Sequence, residues 1–220
     1  MRSAGDAGTE IPAMAEGAGR GPALVLASGS RFRRQMLEAA GVTFSVVAAD
    51  IDERGLEESL RQGEGGADAS RIAAALARAK AQHVARMHPQ ALVIGCDQVL
   101  DLDGALLSKA PDIAAARGQL LRLRGRTHTL YTAVCLAKSE HFVWEYMARP
   151  RLTMRPFTDA YLDQYVKEMG GRLTQTVGAY EIEGPGVQLF ERIEGDYFTI
   201  LGLPLLPLLA ELRRRGLAGL

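Results

Sequence analysis

The stretch from Ala23 to Leu37, ALVLASGSRFRRQML, commits this chain to an α/β architecture before anything else is read. A short apolar strand, Ala23 to Ala27, passes through a small-residue turn into a helix that opens with Arg31, Arg33 and Arg34. The first four N–H groups of a helix have no internal partner, and the macrodipole makes that end positive, so such a turn can receive a phosphate-like anion. Ser28 and Ser30 can cap those groups or bond the anion directly. The same residues would equally suit a capped surface helix with solvated arginines, so the choice rests on what the rest of the chain brings.

Gly41 ends this helix, and Phe44 to Ala49 reads as a second strand that closes a β-α-β unit. It delivers Asp50, Asp52 and Glu53 to a loop. Three acids there can hold a divalent cation through oxygen ligands, or form the acidic first turn of a helix. A short helix over Glu57 to Gly63 and a glycine-containing loop over Glu64 to Asp68 lead to Ser70, the expected N-cap of a long helix reaching Arg86. Ile72, Leu76 and Val84 fall in one i, i+4 row of that helix, and Lys80 falls in the same row. An unpaired ammonium on a core-facing stripe costs more than an apolar contact returns, so Lys80 either snorkels to the rim or reaches a buried anion.

The next strand offers such an anion. Ala91 to Cys96 is a continuous apolar run, as in a central strand, and it ends in Asp97-Gln98. Ligands collect at the carboxyl ends of strands in open α/β sheets, which makes Asp97 a site candidate, although a turn-capping aspartate would read the same way. Val99 to Leu107 is a hairpin turned at Asp103-Gly104, and it places Ser108-Lys109 before a helix over Ile113 to Leu123. Arg126 to Ala137 reads as a long strand with His141 to Met154 as its antiparallel partner, followed by a helix over Asp159 to Glu168. The segment from Gly178 to Gly186 is too glycine-rich for an interior strand and suits backbone packed close to a ligand. Val187 to Ile193 reads as a strand and Leu205 to Arg214 as a terminal amphipathic helix.

Charge and cysteine usage narrow the class. Lys+Arg 26 against Asp+Glu 26 gives no basic excess, which argues against a nucleic-acid partner. Cys96 and Cys135 each lie in an apolar strand-like run and read as reduced, structural thiols, in keeping with a cytoplasmic location. His83, His88, His128 and His141 lack zinc-ligand spacing. The most apolar run, Thr199 to Leu209, is broken by Pro204 and Pro207, so no membrane partner is expected. Residues 1–22, rich in Gly and Ala, read as a disordered extension ahead of a single domain over 23–220.

Taken in order, Leu26-Ala27-Ser28-x-Ser30 with Arg33-Arg34, Ile51-Asp52-Glu53, Ala79-Lys80-Ala81, Ile94-Gly95-Cys96-Asp97-Gln98-Val99, Ser108-Lys109, and Glu183-Gly184 with Gly202-Leu203-Pro204 resemble the Maf family of nucleoside triphosphate pyrophosphatases. The resemblance runs over about residues 23–216. It implies an elongated mixed sheet flanked by helices, with two lobes around a central nucleotide-binding cleft. It also implies hydrolysis of a nucleoside triphosphate to the monophosphate and pyrophosphate, aided by Mg2+ or Mn2+, in a family often discussed as inhibitors of septum formation. Asp97 matches the family's proton acceptor, with Glu53 and Asp97 as metal ligands and Lys80 as a catalytic cation. Arg33, Lys80 and Lys109 would hold the phosphates, with Ser28 and Ser30 at the helix N-terminus. A monomer and a homodimer are both compatible with these motifs.

The family's branches differ in the base they take. The branch acting on thymidine and uridine triphosphates usually has Pro-Arg-Arg after the second serine, Asp-Thr at the acid and a glutamine before the late glycine. Phe32, Gln98 and Glu183 instead resemble the branch acting on 7-methyl-GTP. A carboxylate can accept from the guanine N1 and N2 donors, and a cationic methylated base stacks well on an aromatic ring. Two departures are Arg31, where a proline is usual, and Gly178-Ala179-Tyr180, which is similar to the pyrimidine branch. A pyrimidine-type pyrophosphatase and a non-catalytic, nucleotide-sensing regulator of cell division therefore stand as alternatives. A phosphotransferase is disfavoured, because no Gly-x4-Gly-Lys-Ser/Thr loop is present.

Overall fold

The fold is built on two long antiparallel strands, β3 (Leu92–Leu102) and β5 (Thr127–Lys138), which pair through ten registers from Leu92↔Lys138 to Asp101↔Thr129. The computed structural model describes residues 23–63 and 67–219. The expected N-terminal extension and the first part of the 64–68 loop lie outside the described residues.

Different strands flank the two ends of this pair. At one end β1 (Leu24–Leu26) runs parallel to β3 at Leu92–Ile94, β2 (Ser45–Val46) runs parallel outside β1, and β6 (His141–Ala148) lies along β5 from Thr132 to Lys138. At the other end β4 (Ala105–Leu107) pairs β3 at Leu100–Leu102, while β7 (Arg151–Met154) pairs β5 at Thr127–Thr129 and β8 (Phe190–Glu194) pairs β7. The result is one mixed eight-stranded sheet with two differently flanked halves. Between the last β1 register at Ile94 and the first β4 register at Leu100, one edge of β3 carries no neighbouring strand among the described residues. That gap is where the functional side chains gather.

Strand alternation assigns the layers. Val93 and Val99 face α3 (Ala69–Met87) within one apolar cluster, together with Ala73, Ala77, Ala81, Val84 and Ala85. Leu92, Ile94 and Cys96 face the opposite layer, where Met36 and Leu37 of α1 (Arg31–Ala39) meet Leu208 and Leu212 of α7 (Leu205–Arg214). Leu100 and Leu102 belong to the second lobe, with α4 (Ile113–Leu123) and α5 (Asp159–Met169). The alanine face of α3 sits so close to β3 that a Cβ added to Gly95 would fall on the Ala77 carbonyl oxygen and within 2.6 Å of Ala81 Cβ. Both obstacles are rigid, and no rotamer change relieves them.

Several sequence expectations change here. The helix expected from Glu57 is α2 (Glu53–Gln62), and its N-cap is Asp52, whose Oδ1 accepts from Gly55 N at 2.9 Å. α3 is capped by Asp68 rather than Ser70, because Asp68 Oδ1 accepts from Arg71 N at 2.8 Å. The second strand shrinks to Ser45–Val46, which is exposed at the sheet edge. The long partner of β5 is two strands, interrupted at Arg149-Pro150. Val187 to Leu189 belongs to a 3-10 turn, so the last strand starts only at Phe190. Asp97 and Gln98 lie inside β3, since the ladder to β5 continues through them after the parallel pairing with β1 has stopped.

α7 is fastened by a charge cluster. Glu211, largely buried, accepts from Arg214 Nη2 at 2.6 Å and Arg215 Nε at 2.6 Å, while Arg215 Nη2 donates to Val143 O on β6 at 3.0 Å. The Arg214 hydrogen bond, joined by Arg215, draws the Glu211 carboxyl down to about 2 from an ordinary 4.5. A carboxylate with a depressed folded-state pKa stabilises above its unfolded value and loses that contribution as pH falls through the folded one. Glu211→Gln should therefore lower Tm at neutral pH, and the deficit should shrink between pH 4.5 and 2 in a pH series of thermal melts. A deficit independent of pH would contradict this. Gly95→Ala should cost about 1–3 kcal/mol through overpacking against α3, read by urea unfolding; an unchanged midpoint would show that α3 yields freely.

Candidate active site

Three charged groups from three elements meet at the gap in β3. Lys80 Nζ, from the middle of α3, donates to Asp97 Oδ1 at 2.7 Å and lies 2.8 Å from Glu53 Oε2. Lys80 and Asp97 are only 8% and 7% exposed, whereas the Glu53 side chain is half exposed. The sequence dictates this meeting. Asp97 is two residues beyond Gly95 and so shares its face, and Lys80 stands beside the Ala77 and Ala81 contacts that press α3 onto that face. Lys80 thus occupies the core row because its partner is in the core, not because it snorkels. Burial holds the Asp97 carboxyl above the ordinary carboxylate range, against the pull of Lys80 and Arg33.

Arg33 closes the open edge. Its Nη1 donates to Cys96 O at 2.9 Å and to Ser28 Oγ at 3.1 Å, and its Nε donates to Gly202 O at 2.8 Å. Ile94 O, two residues earlier on the same edge, accepts from Ala27 N, just beyond β1, at 2.8 Å. The guanidinium therefore replaces the missing strand at Cys96, where an unpaired carbonyl would be costly. Nη2 has no protein partner among the described residues. Ser28 Oγ also accepts from Ser30 N at 3.2 Å, and Ser30 is the N-cap of α1.

Gln98 faces the layer opposite Asp97 and anchors the turn that follows α6 (Tyr197–Ile200). Its Nε2 donates to Thr132 Oγ1 at 2.8 Å, Thr199 O at 3.0 Å and Ile200 O at 3.3 Å. Gln98 and Arg33 together hold three carbonyls of the 199–202 turn, leaving Gln98 Oε1 as its remaining acceptor. Phe32 is half-buried under the Arg31 guanidinium, whose Cζ lies 4.5 Å from the ring centre. Glu183 and Lys109 are exposed and make no side-chain ion pair among the described residues. Partial burial raises the Glu183 carboxyl above its ordinary value.

All ten residues singled out in the sequence, Ser28, Ser30, Phe32, Arg33, Glu53, Lys80, Asp97, Gln98, Lys109 and Glu183, line one cleft of about 960 Å³. The sequence reading missed a second charged group in its wall. Glu181, buried, accepts from Arg31 Nη2 at 3.0 Å through Oε1 and from Arg172 through Oε2. The departure from proline at Arg31 thus has a partner, and the only sequence hint was Glu181 two positions before Glu183. The glycine-rich segment expected to lie close to a ligand lines the cleft from Tyr180 to Glu183, while two of its glycines serve internal packing. Gly178, at φ +79°, lies against Tyr180 and Leu100, and a Cβ on Gly186 would meet the Glu181 backbone.

Glu53 and Asp97, which converge on Lys80, are the carboxylates of the site that could hold a divalent cation. Among the described residues no three His, Cys, Asp or Glu side chains form a ready metal cage. Two carboxylates beside a cleft of this size nevertheless fit an ion that completes its shell with phosphate and water oxygens. No described helix is long and apolar enough to cross a membrane.

Comparison with known proteins fits this geometry. The family described as Maf-like protein matches residues 23–215. A 7-methyl-GTP pyrophosphatase from Brucella abortus biovar 1 (strain 9-941) is 49% identical over 191 residues, covering 87% of this chain and 95% of the relative. A protein from Granulibacter bethesdensis named nucleoside triphosphate pyrophosphatase is 48% identical over 191 residues, covering 87% and 96%. The solved dITP/XTP pyrophosphatase of Mycobacterium abscessus aligns with a TM-score of 0.38 at 15% identity, over 88% of this chain and 94% of its own, too loosely to bear on the site. Matched from the first described strand to the end of the last helix, this chain belongs to the Maf family.

Proposed function

We propose that this chain hydrolyses a nucleoside triphosphate between its α and β phosphates, releasing the monophosphate and pyrophosphate. The observation that carries the reading is the buried Lys80–Asp97 pair at the unpaired edge of β3, flanked by Glu53 and opening onto a cleft lined by the N-terminus of α1. Burial raises the proton affinity of the Asp97 carboxyl while the Lys80 ammonium holds it in place, which suits it to accept a proton from water. Water attacks the α-phosphorus, its proton passes to Asp97, and the α–β bridging oxygen leaves with the bonding pair as pyrophosphate. Lys80 favours the ionised form of Asp97 against the effect of burial, and offsets negative charge as it builds. Ser28, Ser30, Arg33 Nη2 and Lys109 bind the phosphate chain. Glu53 and Asp97 would hold Mg2+ or Mn2+, which neutralises phosphate charge when bound.

For the base we propose 7-methylguanine, with Phe32 as the stacking surface, Glu183 as acceptor for the N1 and N2 donors, and Gln98 holding the adjoining 199–202 turn. The support is the Glu183 carboxylate, which lines the cleft and makes no side-chain ion pair among the described residues, and the name of the Brucella relative.

Asp97→Asn should lower kcat for pyrophosphate release by roughly 10²–10⁴-fold while nucleotide binding persists. Pyrophosphate release with calorimetric binding reads this directly, and a wild type that turns over none of a panel of methylated and unmodified triphosphates with magnesium or manganese would sink the enzyme reading. Glu183→Gln should move preference from guanine toward pyrimidine triphosphates; an unchanged ranking on the same panel would remove Glu183 from that role.

A further inference from the structure

Arg31, Glu181 and Arg172 form a charge cluster that the hydrolytic reaction does not use. Glu181 has a side chain only 1% exposed, yet each of its oxygens is taken by a different guanidinium, Arg31 from α1 and Arg172 from the 3-10 turn Gly170–Thr174. Both arginine side chains are about half exposed, at 48% and 46%. Arg31 makes no second ion pair among the described residues, and its guanidinium covers one face of Phe32. The ring proposed to stack on the base therefore already carries a cation.

That arrangement matters for a base that is itself positively charged. Alkylation at N7 gives guanine a full positive charge, and a bare guanidinium beside Phe32 would repel it. With Glu181 in place, the two arginines are balanced by Glu181 and by Glu183, which shares the same segment. We infer that Glu181, clasped by Arg31 and Arg172, is a specificity-determining residue that cancels the positive charge of the base-binding wall and so admits a nucleotide with a cationic, N7-alkylated purine. The inference rests on the nucleotide reading above and deepens it. A buried ion cluster that served only the fold would affect every nucleotide alike.

7-Methyl-GTP and GTP share ring system, sugar and triphosphate, and differ by one methyl group and one positive charge. The ratio of their kcat/KM values thus reports charge at the base wall and is insensitive to general loss of active protein. The full-length chain, with magnesium and at mildly acidic pH where the methylated base is fully charged, is assayed for pyrophosphate release as wild type, Glu181→Gln and Arg31→Gln. Glu181→Gln should lower the ratio roughly fivefold, mainly by weakening apparent affinity for the methylated nucleotide, as expected for one uncompensated charge in a partly solvated wall. Arg31→Gln should move the ratio the other way, because Glu181 then faces Arg172 alone. Added salt should shrink both shifts. Arg31, half exposed, keeps the test alive if Glu181→Gln fails to fold. An active wild type with ratios unchanged in the variants overturns the inference alone. A wild type that releases no pyrophosphate from either nucleotide overturns the reading beneath it.

Discussion

An ammonium and a carboxylate buried against each other tolerate almost no separation. Removing one partner of such a pair, or parting the two, typically costs about 3–5 kcal/mol, because each is left as an uncompensated charge away from water. Lys80 and Asp97 lie on α3 and β3, so that penalty fixes the sliding position of the helix on the strand. The contact is reachable only because Gly95, Ala77 and Ala81 let the two backbones approach closely. The position of α3 in turn decides where Glu53 finds its cation and where the cleft floor lies.

The three arginines that open α1 separate into unlike roles once the sheet is in view. Arg33 substitutes for a strand, satisfying Cys96 O and Gly202 O, and retains one nitrogen without a protein partner among the described residues. A lysine could not replace it, since one ammonium on a flexible stem cannot match two carbonyls and a hydroxyl set in a plane. Arg31 binds the far wall through Glu181. Arg34 pairs with Glu38 one turn along at 3.6 Å and stays in solvent.

Much of this could be read from the chain itself, for reasons that also mark where reading stops. Lys80 stood out because a charge in an apolar row demands a partner, and Asp97 because an acid closes an apolar run. That Asp97 lies within β3 rather than beyond it was hidden, because hydrophobic periodicity reports burial and not ladder pairing, and the ladder to β5 continues past Cys96. The break at Arg149-Pro150 was signalled by proline, which cannot donate to a ladder, but was outweighed by the β-rich residues on either side. The pairing of Arg31 with Glu181 spans 150 positions and leaves no local periodic trace. The glycines of the 178–186 segment were legible as close approach; what they approach, Tyr180, Leu100 and the Glu181 backbone, was not.

The gap between β1 and β4 has a mechanical side. It notches one edge of β3, but the other edge keeps every register to β5 from Leu92 to Asp101. Across the notch the two halves of the sheet stay joined through this unbroken ladder. The parts of the cleft are anchored unequally: α2, which carries Glu53, contains no fully buried residue, whereas the floor bearing Asp97 is tied into the ladder and to α3.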